Sequence, residues 1–466
     1  MRIISSIYVV VEAPSNLLSS KKLHLLSLMA SKILPFFIIS TLILLLQLQF
    51  SLAGRYGYPG GHDGYPGGHG GSPGGHRGSP GGDGGFPGGH GGSPGGHGGF
   101  PGHGGAPGGG HGFPGGLDAV RAGYWFPGEG CSASDINSTL FTHLFADAAD
   151  VDSQANQVVI DYAKHSEVST FTQTVQQINP DVKTLLSIGG GSAKKTEYAS
   201  MASEGTTRKS FIDSSIDLAR KYNFHGLDFN WEYPSTPTEM TNYGQLLNEW
   251  RNAIKTESAT SGKPPLLLSS AVFHSSDYQT MAYPIEAVSH NLDWINIKAY
   301  DFYGPNWSHV TGPPAALYNP LSDEANSNKD YGVTTWINAG APKQKVVMGI
   351  PYYGYAWKLA DEDEHGFFAP TEGPALSSDG SVGYSEIKNF IRKEYATTVY
   401  NETAVSNYAY SKSTWIGYDD TQTVATKVQY IKKSKMLGYF ASHVHHDEKS
   451  VLSQTAYESW EGQSCD

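Results

Sequence analysis

The sequence predicts a (β/α)8 fold, the TIM barrel, over residues 117–466, preceded by a low-complexity arm. Three observations carry this. Eight short apolar runs recur between Val120 and Val444, and amphipathic helical stretches lie between several of them. At the end of the fourth run, Asp228, Asn230 and Glu232 alternate with Leu227, Phe229 and Trp231. Strand side chains alternate between faces, so the three polar residues share one face. Upstream of all eight runs, glycine and proline dominate and apolar residues are too sparse for a core.

Taken in order, residues 33–46 form an apolar run interrupted by Pro35, Ser40 and Thr41. Lys32 precedes it and Ser51-Leu52-Ala53 follows. A basic flank, an apolar stretch and small residues give the layout of a secretory signal. The competing reading is a signal anchor, since the run approaches membrane-spanning length. Met29 lies just upstream, so the expected signal occupies residues 28–53 and residues 1–28 read as an extension. Secretion to the extracellular space or cell wall is the expectation, without stable membrane insertion once the signal is removed.

Residues 54–116 repeat with a period of seven, as in Tyr58-Pro59-Gly60-Gly61-His62-Asp63-Gly64. Proline in every repeat forbids a coiled coil. The segment reads as a disordered spacer. His62, His69, His76, His90 and His97 recur at one place in the repeat, which also suits loose zinc or copper binding.

The predicted barrel strands are residues 120–126, a run starting at 143, and 184–191, 224–234, 266–273, 294–302, 346–353 and 438–444. Residues 209–222 place Phe211, Ile212, Ile216 and Leu218 at helical spacing. Residues 238–254 do the same with Met240, Tyr243, Leu246, Leu247 and Trp250. The seventh and eighth strands are too far apart for one helix. Residues 357–420 therefore read as an added lobe with strand-like pieces at 398–400 and 414–418.

A net charge of −12 argues against a nucleic-acid partner. Only two cysteines, Cys131 and Cys465, exclude a disulfide scaffold and leave a single bridge open. No nucleotide or metal site of convincing spacing stands in the barrel, so no cofactor is expected. Sequons at Asn137, Asn306 and Asn401 are acceptors for glycosylation in a secreted chain.

The stretch Phe224-His225-Gly226-Leu227-Asp228-Phe229-Asn230-Trp231-Glu232-Tyr233-Pro234 resembles the family 18 glycoside hydrolase motif D-x-x-D-x-D-x-E. It looks most like the form in plant class V chitinases. The resemblance covers about residues 118–460. It implies an α+β insertion between strands 7 and 8, a chitin or chito-oligosaccharide ligand and a monomer. It also implies substrate-assisted retaining hydrolysis, in which the 2-acetamido oxygen attacks the anomeric carbon. Glu232 then matches the general acid, and position 230 holds the acetamido N–H and offsets the developing positive charge. Asp228 supports it from below, Tyr300 donates to the acetamido oxygen, and Asp301 binds a sugar hydroxyl. Tyr124, Trp125, Tyr353, Tyr355 and Trp357 are candidates for stacking on the sugar.

The first Asp of the motif is His225, a variation of the plant members, and four further places depart from the family pattern. Position 230 is Asn where the family carries Asp. Ser442 replaces a tryptophan floor for the scissile sugar. Lys298 stands where methionine is usual. Ala146-Asp147-Ala148 replaces a small-small-aromatic run. Lys298 and Asp147 both face the barrel interior in this register and are expected to pair. An ordinary two-carboxylate mechanism needs groups roughly 5–9.5 Å apart, whereas the α-carbons of Asp228 and Glu232 are roughly 13 Å apart along a strand. Loss of one preorganised electrostatic contact costs ~10²–10³ in rate. The leading expectation is a chitinase-like protein that binds chito-oligosaccharide with hydrolysis impaired or absent. The alternatives are an active retaining endochitinase in defence, or a wall protein that works through its arm.

Overall fold

The computed structural model describes residues 119–320, 326–447 and 449–462. The leader, the glycine-rich arm and Cys465 lie outside them, and so do the readings made for those segments. Eight parallel strands close into a barrel: β1 (Val120–Trp125), β2 (His143–Asp152), β3 (Lys183–Gly189), β4 (Gly226–Asn230), β5 (Leu267–Phe273), β6 (Trp294–Lys298), β7 (Val346–Pro351) and β8 (Gly438–Ser442). Each pairs with its sequence neighbours, and β1 pairs with both β2 and β8. Right-twisted parallel strands joined by helices bury both faces, which is why these runs are almost continuously apolar.

Alternation sorts the side chains. Leu227 and Phe229 face outward and pack with Phe211, Tyr243 and Trp250 from the surrounding helices. Inside, Tyr124, Phe145, Trp294 and Phe440 form a separate cluster. Burying each such aromatic contributes roughly 1.5–3 kcal/mol. The helix Gly205–Lys221 begins four residues before the predicted 209–222 and ends one short of it, and the helix Pro237–Ser261 extends beyond the predicted 238–254 at both ends. The second begins with Pro at its first turn, and the N-cap Thr236 hydroxyl accepts from Glu239 N at 3.1 Å.

Most strands end earlier than the apolar runs suggested. β4 stops at Asn230 and β6 at Lys298. Glu232, Tyr300 and Asp301 therefore sit on the loops at the carboxyl ends, not in the ladder. Asp301 has φ +62°, a left-handed conformation that a strand cannot continue through.

The insertion is an antiparallel sheet ordered Thr371–Pro374, Tyr353–Leu359, Thr414–Tyr418, Ser406–Ser411, Thr397–Asn401. The helix Tyr384–Glu394 also belongs to this part of the chain. The insertion sheet begins at Tyr353, four residues before the predicted start, because only Tyr352 separates it from the end of β7. No helix among the described residues is long and apolar enough to cross a membrane. Asn137 and Asn306 are exposed.

Barrel closure depends on backbone approach at β1 and β8. A Cβ on Gly438 would lie 1.7 Å from the Val120 carbonyl oxygen. Gly438→Ala is expected to lower stability by about 1–3 kcal/mol or more through overpacking, measured as a lower denaturant midpoint; an unchanged midpoint contradicts this closure.

Candidate functional site

A pocket of about 340 Å³ opens at the carboxyl ends of the strands. Its wall includes Tyr124, Asp147, Asn230, Glu232, Lys298 and Tyr300, together with Asp301, Tyr353, Ser442 and His443. This is the end at which barrel enzymes place their chemistry. A larger hollow of about 490 Å³ on the insertion, lined by Phe390, Lys393 and Glu394 among others, lacks such convergent inward groups.

Asp228 lies beneath the pocket and is fully buried. Its carboxylate accepts from Tyr124 OH at 2.8 Å, Ser187 Oγ at 2.9 Å, Ser269 Oγ at 2.7 Å and Asn296 Nδ2 at 3.2 Å. Burial pushes its pKa up, and the four donors oppose that shift. Asn296 Nδ2 also donates to the Tyr124 hydroxyl at 2.9 Å. Tyr124 is thereby fixed as a support for Asp228 as well as a wall.

Asn230 is the last residue of β4 and points inward, as alternation from Asp228 requires. Its Oδ1 is buried and has no hydrogen-bond partner. Such an atom is costly to leave unmade and suits an N–H donor brought by a ligand. The chain at Gly189 and Gly190 turns over it with φ +112° and +108°. A Cβ on Gly189 would meet Asn230 O at 2.2 Å, so the glycine turn is a steric requirement.

Glu232 is not free. Its Oε1 is in close contact with Lys298 Nζ, and both side chains are mostly buried. Burial opposes the charge on Lys298, yet Glu232, Tyr300 and Tyr233 hold its pKa well above the ordinary lysine range. This corrects the expected Lys298–Asp147 pair. Both residues face the interior, but the flexible lysine stem reaches Glu232 on the loop after β4.

Asp147 instead lies 3.9 Å from His443 Nε2. Burial pushes its carboxyl up to about 7; Lys298 opposes the shift, while Asp228 and Glu232 add to it. It also stands near Asn230. A Cβ on Gly190 would be 3.4 Å from Asn230 Nδ2 and 3.6 Å from Asp147 Oδ1.

Tyr300 follows β6, and its phenol faces the pocket with Lys298 Nζ 6.0 Å from its ring centre. Asp301 accepts from Tyr353 OH at 2.6 Å and Tyr355 OH at 3.3 Å. Of the expected stacking residues, Tyr124 and Tyr353 line the pocket. Tyr355 serves through its bond to Asp301. Trp357 is fully buried against Trp415, with ring centres 5.3 Å apart, and Trp125 is fully buried against Phe171 at 4.8 Å. Trp357 and Trp125 are core, not cleft: Trp125 takes the outward turn of the β1 alternation, and four residues of strand carry Trp357 about 13 Å beyond Tyr353. Ser442 occupies the floor position and brings no aromatic ring.

The sequence reading missed one grouping. His443, His445 and His446 each bring a ring nitrogen to within 4.8 Å of the others. The signal was the short His-x-His-His run after β8. It has the spacing of neither a strand nor a helix, because the 3₁₀ turn Val444–His446 gathers the rings.

Residues 120–447 match glycosyl hydrolases family 18. The chain is 57% identical over 328 residues to a class V chitinase of Arabidopsis thaliana, covering 70% of this chain and 86% of the relative. A crystal structure of a class V chitinase mutant from Nicotiana tobaccum in complex with NAG4 is similar at a TM-score of 0.72 and 49% identity. That match covers 74% of this chain and 99% of the other. A chitinase-like agglutinin from Robinia pseudoacacia is similar at a TM-score of 0.69 and 45% identity, covering 73% and 100%.

Tyr124→Phe removes one donor to a buried carboxylate and one acceptor for Asn296. It is expected to cost about 1.5–3 kcal/mol in chemical denaturation; a loss under ~0.5 kcal/mol contradicts the role given to Tyr124.

Proposed function

Because the chain belongs to glycosyl hydrolases family 18, we propose that its pocket binds N-acetylated chito-oligosaccharides and hydrolyses them slowly or not at all. The observation that carries this reading is the contact between Lys298 and Glu232. In the family's route Glu232 protonates the leaving oxygen. A general acid must hold a proton and present it to the substrate. An ammonium seated on the same carboxylate competes for that oxygen.

Binding has its own support. Asn230 Oδ1 is left free to accept the acetamido N–H, Tyr300 faces the pocket, and Tyr353 and Tyr355 hold Asp301 for a sugar hydroxyl. The relative solved with NAG4 and the relative named an agglutinin are each at least 45% identical to this chain, which supports a glycan ligand. Turnover needs more than binding. Asn230 brings no negative charge to the oxazolinium-like transition state, and Ser442 gives the scissile sugar no ring to stack on. The leader-like run and the exposed sequons support a secreted location.

A second reading, an active retaining chitinase, is favoured by one specific feature. Asp147 puts a carboxyl beside Asn230, in a position to take over the missing charge. Burial holds that carboxyl up to about 7, so it is protonated and neutral at the acid side. Under this reading hydrolysis rises with pH through about 7, as Asp147 ionises among Lys298, Asp228, Glu232 and His443.

The triple change Asn230→Asp, Ser442→Trp and Lys298→Met tests the first reading. Restoring the charge, the floor and a free acid is expected to raise chito-oligosaccharide turnover ~10²-fold or more. No gain in a triple variant that still melts cooperatively contradicts it.

A further inference from the structure

We propose that His443, His445 and His446 form a binding site for a divalent transition-metal ion, zinc or copper, on the wall of the pocket. The three rings follow β8 directly and are gathered by one 3₁₀ turn. One nitrogen of each lies within 4.8 Å of the other two. Zinc–nitrogen bonds of about 2.0–2.1 Å in tetrahedral array set nitrogens about 3.4 Å apart. Side-chain rotation of about an ångström therefore closes the set.

Two of the ring nitrogens need a partner. Nδ1 of His445 and Nδ1 of His446 are buried and make no hydrogen bond. The rings crowd one another, with centres 5.3 Å apart for His443–His445 and 4.2 Å for His445–His446. Packing basic nitrogens together with nothing to bond is unfavourable; a cation among them relieves it. Imidazole suits zinc, copper and nickel rather than calcium or magnesium.

The surroundings are those of a ligand set. Asp147 Oδ2 stands 3.9 Å from His443 Nε2, so a carboxyl group lies next to the cluster. Three protein ligands leave a fourth position for water. His443 also lines the pocket that holds Glu232, so the cluster adjoins it. The purely structural alternative, three histidines packed as neutral rings, predicts no metal dependence.

The test is titration of the full chain with Co²⁺ and Zn²⁺ in the absence of glycan, so that its outcome is separate from that of the sugar reading. Because the arm carries its own histidines, the full chain is compared with His445→Ala/His446→Ala and with His445→Gln/His446→Gln. The unaltered chain is expected to bind one more equivalent than either variant. That equivalent is expected to show the intense visible absorption of tetrahedral Co²⁺ and at least tenfold tighter binding than the arm. Melting of the metal-free variants checks that they fold. A zinc-soaked crystal of the unaltered chain should show anomalous density among the three rings, a readout that needs no variant. Identical isotherms and spectra in folded variants, or no anomalous peak, overturn the proposal.

Discussion

The barrel is organised around one buried carboxylate. Asp228 collects donors from β1, β3, β5 and β6 while standing on β4 itself. A charge taken out of water is tolerated only when its lone pairs are met. Five strands must therefore keep their register for Asp228 to be satisfied. That constraint aims Asn230, two residues on, into the pocket. It also starts the loop that carries Glu232 to the mouth. The site is precise because its foundation is.

Above that foundation the proposed reading turns on two positions, 230 and 298. The family's arrangement spends a carboxylate at position 230 on the sugar's positive charge and keeps the proton donor free. Here position 230 offers a neutral acceptor, and Lys298, a cation of the pocket wall, is bonded to Glu232. A lysine in the barrel interior needs an anionic partner, and Glu232 supplies it. Under the proposed reading, shape and polar recognition are kept, while the groups that distinguish transition state from ground state are weakened. Interactions equal in both states give affinity without rate.

Much of this was legible in the sequence. Eight apolar runs gave eight barrel strands, and alternation at Leu227–Phe229 against Asp228–Asn230 correctly separated the helix-facing side from the interior. The places that were not legible share a cause. Strand ends depend on where loops must turn, so Tyr300 and Asp301 were read as strand although Asp301 is left-handed. Trp357 has the right alternation for the cleft but lies too far along its strand. The partner of Lys298 could not be read from register, since Asp147, Asp228 and Glu232 all lie inward and only the reach of the side chain chooses among them. The histidine cluster depends on a 3₁₀ turn that local periodicity does not announce.

The most direct measurement is a calorimetric titration of the unaltered chain with chitotetraose, followed by chromatography of the sugar recovered from the cell. The account predicts a saturable binding heat and tetraose recovered intact. Rapid conversion to shorter oligosaccharides, at rates usual for glycosidases of roughly 1–10³ per second, would contradict it.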